Sequence, residues 1–273
     1  LSGDRLVWAS DASGDRDLWM ADLATGTSAL LFSDAGDQDA PSLDGTTLVF
    51  VSRHKSPHTD QYADIWAMDI TDPDGAWALT DDEVEQSYPH VKGDRAVWTD
   101  FRNDPEGSYN DLADPFENNG DIYGHDLSLA EEFIVSNDLS KQLRPAIDGE
   151  DVVWLDWRGI NPEPKYSEFQ VYTRHVGVEM GPERLLAWSS WSKPDLWLRP
   201  GVRDGVAAWI AEPANSPFQT AVFATPLTDT ATEPALVVGS EGILEAVSLT
   251  DDGVVWIGAG VFGVEPLDLW SGQ

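Results

Sequence analysis

Two short triplets carry the residue types of acid–base chemistry: Asp100-Phe101-Arg102 and Asp156-Trp157-Arg158. A pair of carboxylates at a suitable separation acts as general acid and general base on a glycosidic bond. Asp100 and Asp156 are therefore the candidate catalytic pair. The competing reading is structural, because the triplet recurs at equivalent places, as an ion pair or turn cap built into a repeat would. A second group is acidic. Asp111, Asp114, Glu117 and Asp121 lie close together on a stretch bearing proline and glycine. Hard oxygen donors on such a loop suit Ca²⁺, which takes about six to eight oxygens. The spacing is not that of an EF-hand. Calcium is the one cofactor the sequence points to, against a solvated loop in which Asp121 caps its turn.

A third group is His54, His58 and His90. Three imidazoles brought together would bind a transition metal, but no spacing rule forces them together. His125 and His175 fall in strand-like runs and read as structural. The fourth group is aromatic: Trp188, Trp191 and Trp197 within ten residues, with Trp157 and Tyr166 on a neighbouring connection. Exposed indole faces stack on sugar rings or anchor protein partners. The alternative is that they fold inward over the apolar end of a sheet. Gly258-Ala259-Gly260-Val261-Phe262-Gly263 matches a dinucleotide fingerprint, but Pro266 and a strand follow where a helix is required, so it reads as a hairpin. No P-loop, G-x-S-x-G elbow or H-E-x-x-H is present.

The elements that must position these residues are strands. Runs ending in an aromatic recur at Trp8, Phe50, Trp98, Trp154, Trp209 and Trp256. A Gly/Asp pair precedes each run, as at Asp44-Gly45, Gly93-Asp94 and Asp148-Gly149, and such pairs accept the positive φ of two-residue hairpins. A second run follows each first one, among them Asp17-Leu18-Trp19, Asp121-Ile122-Tyr123 and, in the last unit, Asp268-Leu269-Trp270. A third run and a proline-led strand complete most units. Repeats of this length with four strands are the signature of propeller blades. The expected architecture is all-β: one six-bladed β-propeller domain over 1–273 with four-stranded antiparallel blades. Their approximate spans are 1–41, 42–89, 90–145, 146–200, 201–247 and 248–273. Residue 1 falls in the innermost strand of the first blade on this reading, so the sixth blade is expected to be incomplete.

The net charge of −33, from 49 acidic and 16 basic residues, excludes a sequence-independent nucleic-acid binder and docking on anionic lipid. The absence of cysteine removes thiol nucleophiles, disulfides and Cys-zinc sites. The longest apolar stretch, 253–264, is too short to span a bilayer, so membrane insertion is not expected. The opening Leu1-Ser2-Gly3-Asp4 reads as that of a processed or trimmed chain.

The unit Pro89-His90-Val91-Lys92-Gly93-Asp94-Arg95-Ala96-Val97-Trp98-Thr99-Asp100-Phe101-Arg102, continued by Asp121-Ile122-Tyr123-Gly124-His125-Asp126-Leu127, resembles the repeat of TolB-type six-bladed β-propellers. The resemblance covers essentially the whole chain and implies the fold. It carries over no catalytic residue, because such propellers serve as adaptors, surface modules, lyases and peptidase gates. Two units depart from the pattern, with Gln170 and Ala221 where the second run otherwise opens on Asp.

In this strand order the long connections all leave one edge of each blade, and function concentrates on such loops. The expected function is a non-catalytic binding or interaction module for a protein or glycan partner. Its expected setting is extracellular or at the cell surface, with the periplasm compatible. Two alternatives stand beside it. One is a self-assembling homopolymer in which a neighbour donates the missing strand of blade six. The other is a polysaccharide lyase or hydrolase.

Overall fold

The computed structural model describes residues 1–12, 14–53, 62–104, 119–158, 168–190, 199–213, 219–228, 233–240, 242–250, 253–258 and 261–265, with the backbone alone for Ser190 and 261–265. All regular structure among them is antiparallel β, and no helix is long and apolar enough to cross a membrane. The chain divides into two compact units, Leu1–Leu143 and Arg144–Gln273.

The first unit holds three sheets in chain order. The first comprises β1 (Arg5–Ser10), β2 (Asp17–Asp22) and β3 (Thr27–Phe32). The second comprises β4 (Gln38–Asp44), β5 (Thr47–Ser52), β6 (Asp64–Asp69) and β7 (Asp72–Ala78). The third comprises β8 (Gln86–Lys92), β9 (Arg95–Asp100), β10 (Asp121–Asp126) and β11 (Glu131–Ser136). Hydrophobic cores lie between successive sheets. Val7 and Leu18 of the first pack with Phe50 and Met68 of the second, and Val51 and Ile65 of the second pack with Trp98 and Tyr123 of the third. The second strands of the second and third sheets are buried on both faces, since β5 and β9 are buried at every position after the first.

The second unit repeats the pattern. The fourth sheet is β12 (Gln142–Asp148, which begins at the boundary), β13 (Asp151–Asp156), β14 (Glu168–His175) and β15 (Arg184–Ser190). The fifth is β16 (Gly201–Arg203), β17 (Val206–Ala211), β18 (Thr220–Pro226) and β19 (Ala235–Ser240). The sixth is β20 (Leu244–Thr250), β21 (Gly253–Gly258) and β22 (Val261–Glu265).

Local chemistry explains the turns. Gly45, Gly93 and Gly149 sit at φ of 60°, 58° and 60°, where a Cβ would be strained. Between sheets a second device recurs. Gln38, Gln86 and Gln142 open β4, β8 and β12 and are fully buried. The Gln38 amide donates to the carbonyls of Asp34 (3.3 Å) and Gly36 (2.8 Å), tying the incoming connection to the sheet. Three residues on stand Pro41, Pro89 and Pro145, and at the first two the strand bulges. The residue before each proline, Ala40, Tyr88 or Arg144, takes a positive φ of 47°, 54° or 57°. The innermost strands thus run through the prolines, and the units begin before them rather than after.

Two expectations are corrected. The first sheet has three strands: the position of its innermost strand holds only a single bridge between Ser2 and Arg5. In the sixth sheet the strand after β21 is Val261–Glu265, not the run at Asp268-Leu269-Trp270. Its register pairs Gly258 with Val261, so two residues separate the paired strands. Residues 266–273 lie outside the described ones.

Candidate functional site

The two Asp-aromatic-Arg triplets build the same clamp. Asp100 ends β9 and is fully buried. One carboxylate oxygen accepts from Trp98 Nε1 (3.0 Å) and Arg102 Nη2 (2.7 Å). The other accepts from the Arg102 backbone N–H and Nε, both at 2.9 Å. Asp156 at the end of β13 is bound alike, by Trp154 Nε1 (2.9 Å), the Arg158 N–H (2.8 Å), Nε (3.0 Å) and Nη2 (2.7 Å). Each guanidinium then reaches a glutamate at the fourth strand, Glu132 for Arg102 and Glu183 for Arg158. In doing so it sits over the aromatic of the third strand. Arg102 Cζ is 4.1 Å from the Tyr123 ring centre, and Arg158 Cζ is 4.2 Å from that of Tyr172.

Such stacking combines cation–π attraction with forked hydrogen bonds, which an arginine makes and a lysine does not. Burial pushes the Asp156 carboxyl above the ordinary carboxylate range, opposed by the hydrogen bonds from Arg158 and Trp154. Burial also opposes the Arg158 charge, but its bonds to Asp156 and the neighbouring carboxylates hold its pKa above the usual arginine value. Both carboxylates spend their oxygens within the clamp. The structural reading of the triplets thus accounts for every contact described at Asp100 and Asp156.

The fifth sheet keeps the frame of this clamp and lacks its polar parts. Trp209 of β17 faces Phe223 of β18 in the register in which Trp98 faces Tyr123 and Trp154 faces Tyr172. The two rings stack at 6.2 Å with an interplanar angle of 19°. The triplet, however, reads Ala211-Glu212-Pro213. The buried carboxylate is replaced by a methyl group and the arginine by proline. Trp209 Nε1 turns instead to Ser189 Oγ of the fourth sheet, at 2.8 Å. A cavity of about 450 Å³ lies here between the fourth and fifth sheets, a volume typical of small-ligand sites. Trp188, Trp209 and Phe223 line it, with Glu168, Glu212 and Glu233 as acidic groups among the described residues. Glu168 opens β14, and Trp188 and Ser189 close β15, so this end of the cavity sits at the edge that carries the long connections. Its other end reaches Glu233 and Pro234 ahead of β19.

The remaining candidates fall in different places. Trp188, 58% exposed, is the predicted binding residue that the structure brings to this cavity. Trp157 is buried, with its ring 6.3 Å from that of Phe169; it belongs to the packing of its sheet, which corrects the expectation of an exposed face. Tyr166, Trp191 and Trp197 lie outside the described residues, as do Asp111, Asp114, Glu117, His54 and His58. Asp121 begins β10 and is 1% exposed; it accepts from Asn103 Nδ2 at 2.6 Å, and burial raises its pKa to about 6. His90 is half-buried in β8. Among the described residues no group of three or more His, Asp or Glu side chains is placed to hold a metal ion. His175 contacts Asp151 at 3.0 Å and Glu150 at 3.1 Å on the surface.

Sequence reasoning missed the cavity, although its signal was present. The triplet that marks β9 and β13 is missing after β17, where the Trp–aromatic pair persists.

No protein-family model matches the chain, and no curated protein does. Solved structures do. The chain is similar to TolB from Acinetobacter baumannii over 82% of its length, at 15% identity and a TM-score of 0.55, and covers 49% of that chain. It thus spans about half the length of that TolB. It is similar over 93% of its length to a chain of a nidogen/laminin complex, at 10% identity and a TM-score of 0.58, covering 84% of that chain. Similarity to the tricorn protease extends over 97% of the chain at 10% identity and a TM-score of 0.66, covering 28% of the protease. At such identities the likeness establishes the fold and no more. The six antiparallel sheets are the blades of a β-propeller, four with four strands and two with three among the described residues.

Proposed function

We propose that this propeller is a non-catalytic interaction module of the TolB type, working outside the cytoplasm, whose partner docks at the loop-bearing edge of the fourth and fifth sheets. The observation that carries this reading is Trp188, a large indole more than half exposed beside an aromatic-walled cavity. An exposed Trp at a cavity mouth is the usual anchor of a protein or glycan contact. The strongly acidic composition suits an extracellular or periplasmic setting. The clamped, fully buried Asp100 and Asp156 weigh against a lyase or hydrolase built on those carboxylates.

The test is a screen of the purified chain on peptide and glycan arrays, alongside Trp188→Ala. The reading expects a ligand that is bound without turnover and lost in the variant. Cleavage of a bound polysaccharide, or ligand binding indifferent to Trp188, would overturn it. A second reading, self-assembly by strand donation, draws on the sheet β20–β22, which has three strands among the described residues. Light scattering with and without millimolar calcium tests it: large regular species support it, and a monomer in both conditions removes it.

A further inference from the structure

We infer that the cavity between the fourth and fifth sheets is a receptor for a guanidinium group, filled by an arginine side chain of the partner. The inference rests on the interaction-module reading and names the chemistry of its ligand. The molecule contains its own template twice. In the third and fourth sheets a guanidinium lies just over 4 Å from the ring centre of the third-strand aromatic, whose cross-strand partner is the tryptophan of the second strand. A glutamate near the start of the fourth strand closes the far side. The fifth sheet retains the tryptophan, the third-strand aromatic and a glutamate near the same place: Trp209, Phe223 and Glu233, one position ahead of the register of Glu132 and Glu183. The cation and the carboxylate that holds it are gone, since Pro213 stands where Arg102 and Arg158 stand and Ala211 where Asp100 and Asp156 stand. Beside the Phe223 ring lies the cavity.

A guanidinium is the group whose shape and charge fit this space. It is flat, stacks on an aromatic face and forks toward a carboxylate. Glu168 and Glu233, both exposed, stand at the two ends of the cavity to receive it. Trp188 would cover the outer face of the incoming side chain. The −33 charge of the chain adds a long-range attraction for a basic partner. A neutral sugar would also stack on Trp188, but it would leave the carboxylates without a cation.

The probe is N-acetyl-arginine methylamide, titrated by calorimetry at a salt concentration of about 150 mM so that diffuse attraction is screened. The citrulline analogue, of the same shape without charge, and the lysine analogue serve as controls. The expected result is binding of the arginine probe at least tenfold tighter than either control. Trp188→Ala should weaken it at least threefold. The double substitution Ala211→Asp with Pro213→Arg, which supplies the cavity with its own guanidinium, should abolish it. Equal binding of the citrulline and arginine probes would overturn the inference. So would undiminished binding to a folded double variant; should that variant not fold, the arginine–citrulline contrast and Trp188→Ala decide alone. The two readings fail separately. An array ligand that requires Trp188 but is not displaced by the arginine probe leaves the interaction module standing and removes the guanidinium. A glycan as that ligand does the same.

Discussion

The fourth and fifth sheets share a frame and differ in how they treat one slot. In the fourth, Asp156 and Arg158 fill it, and the two are tied to each other, to Trp154 and to Glu183. In the fifth, Ala211 and Pro213 stand in their place, and Trp209 finds its partner in the neighbouring sheet instead. The aromatic pair is the same in both, at 5.9 Å for Trp154–Tyr172 and 6.2 Å for Trp209–Phe223. The difference teaches that a repeat element can carry two roles. Where the clamp is complete it holds the blade. Where its polar half is removed, the residual aromatic face becomes a surface on which something else can rest.

The comparison breaks most readily at Arg158. Arg158→Ala strands a fully buried carboxylate, which should cost about 3 to 5 kcal/mol of stability in chemical denaturation. A loss below about 1 kcal/mol would mean that the clamp does not hold the blade. A smaller effect sharpens the same contrast. Trp154→Phe removes a hydrogen bond to a charged group and should cost about 1.5 to 3 kcal/mol beyond the change in packing. Trp209→Phe removes only a bond to a hydroxyl and should cost about 1 kcal/mol. Equal costs would erase the distinction between a clamped and an open slot.

A third prediction concerns pH. Burial raises Asp64 and Asp121 to about 6. A carboxylate raised in the folded state binds a proton where the unfolded chain has already lost it. Its contribution is therefore fully present below about pH 4, the ordinary range of a carboxylate, and is lost as the pH rises through 6. Asp121→Asn should raise the melting temperature at pH 7.5 and gain less, or nothing, at pH 5. The opposite order would show that the charged form is the favoured one in the fold. The smallest effect belongs to Trp188→Ala. With 58% of Trp188 exposed, its loss should change stability by no more than about 0.5 kcal/mol, leaving binding as its readout.

The frame of the molecule was legible because its determinants are local. Asp-Gly turns need positive φ, and the runs around Trp98 and Trp154 need only a buried strand, so pattern and structure agree at β9 and β13. Side-chain direction beyond a strand end was not legible. Trp157 follows Asp156 out of β13, and its burial depends on Phe169, twelve residues away across a connection. The last unit misled for a related reason. An aromatic at Trp270 suggested the next strand, while the nearer run Val261–Glu265, which carries Gly263 opposite Trp256, completes the pairing. The cavity was invisible for lack of a positive signal. It is marked by two absences, Asp at 211 and Arg at 213, which acquire meaning only when the filled slots show what those residues do.

The most direct test of the central claim is a crystal structure of the chain soaked with N-acetyl-arginine methylamide. The account predicts the guanidinium carbon about 4 Å above the Phe223 ring, with Glu168 or Glu233 within hydrogen-bonding distance. A probe bound elsewhere, or a side chain of the protein itself already seated over Phe223, would contradict it.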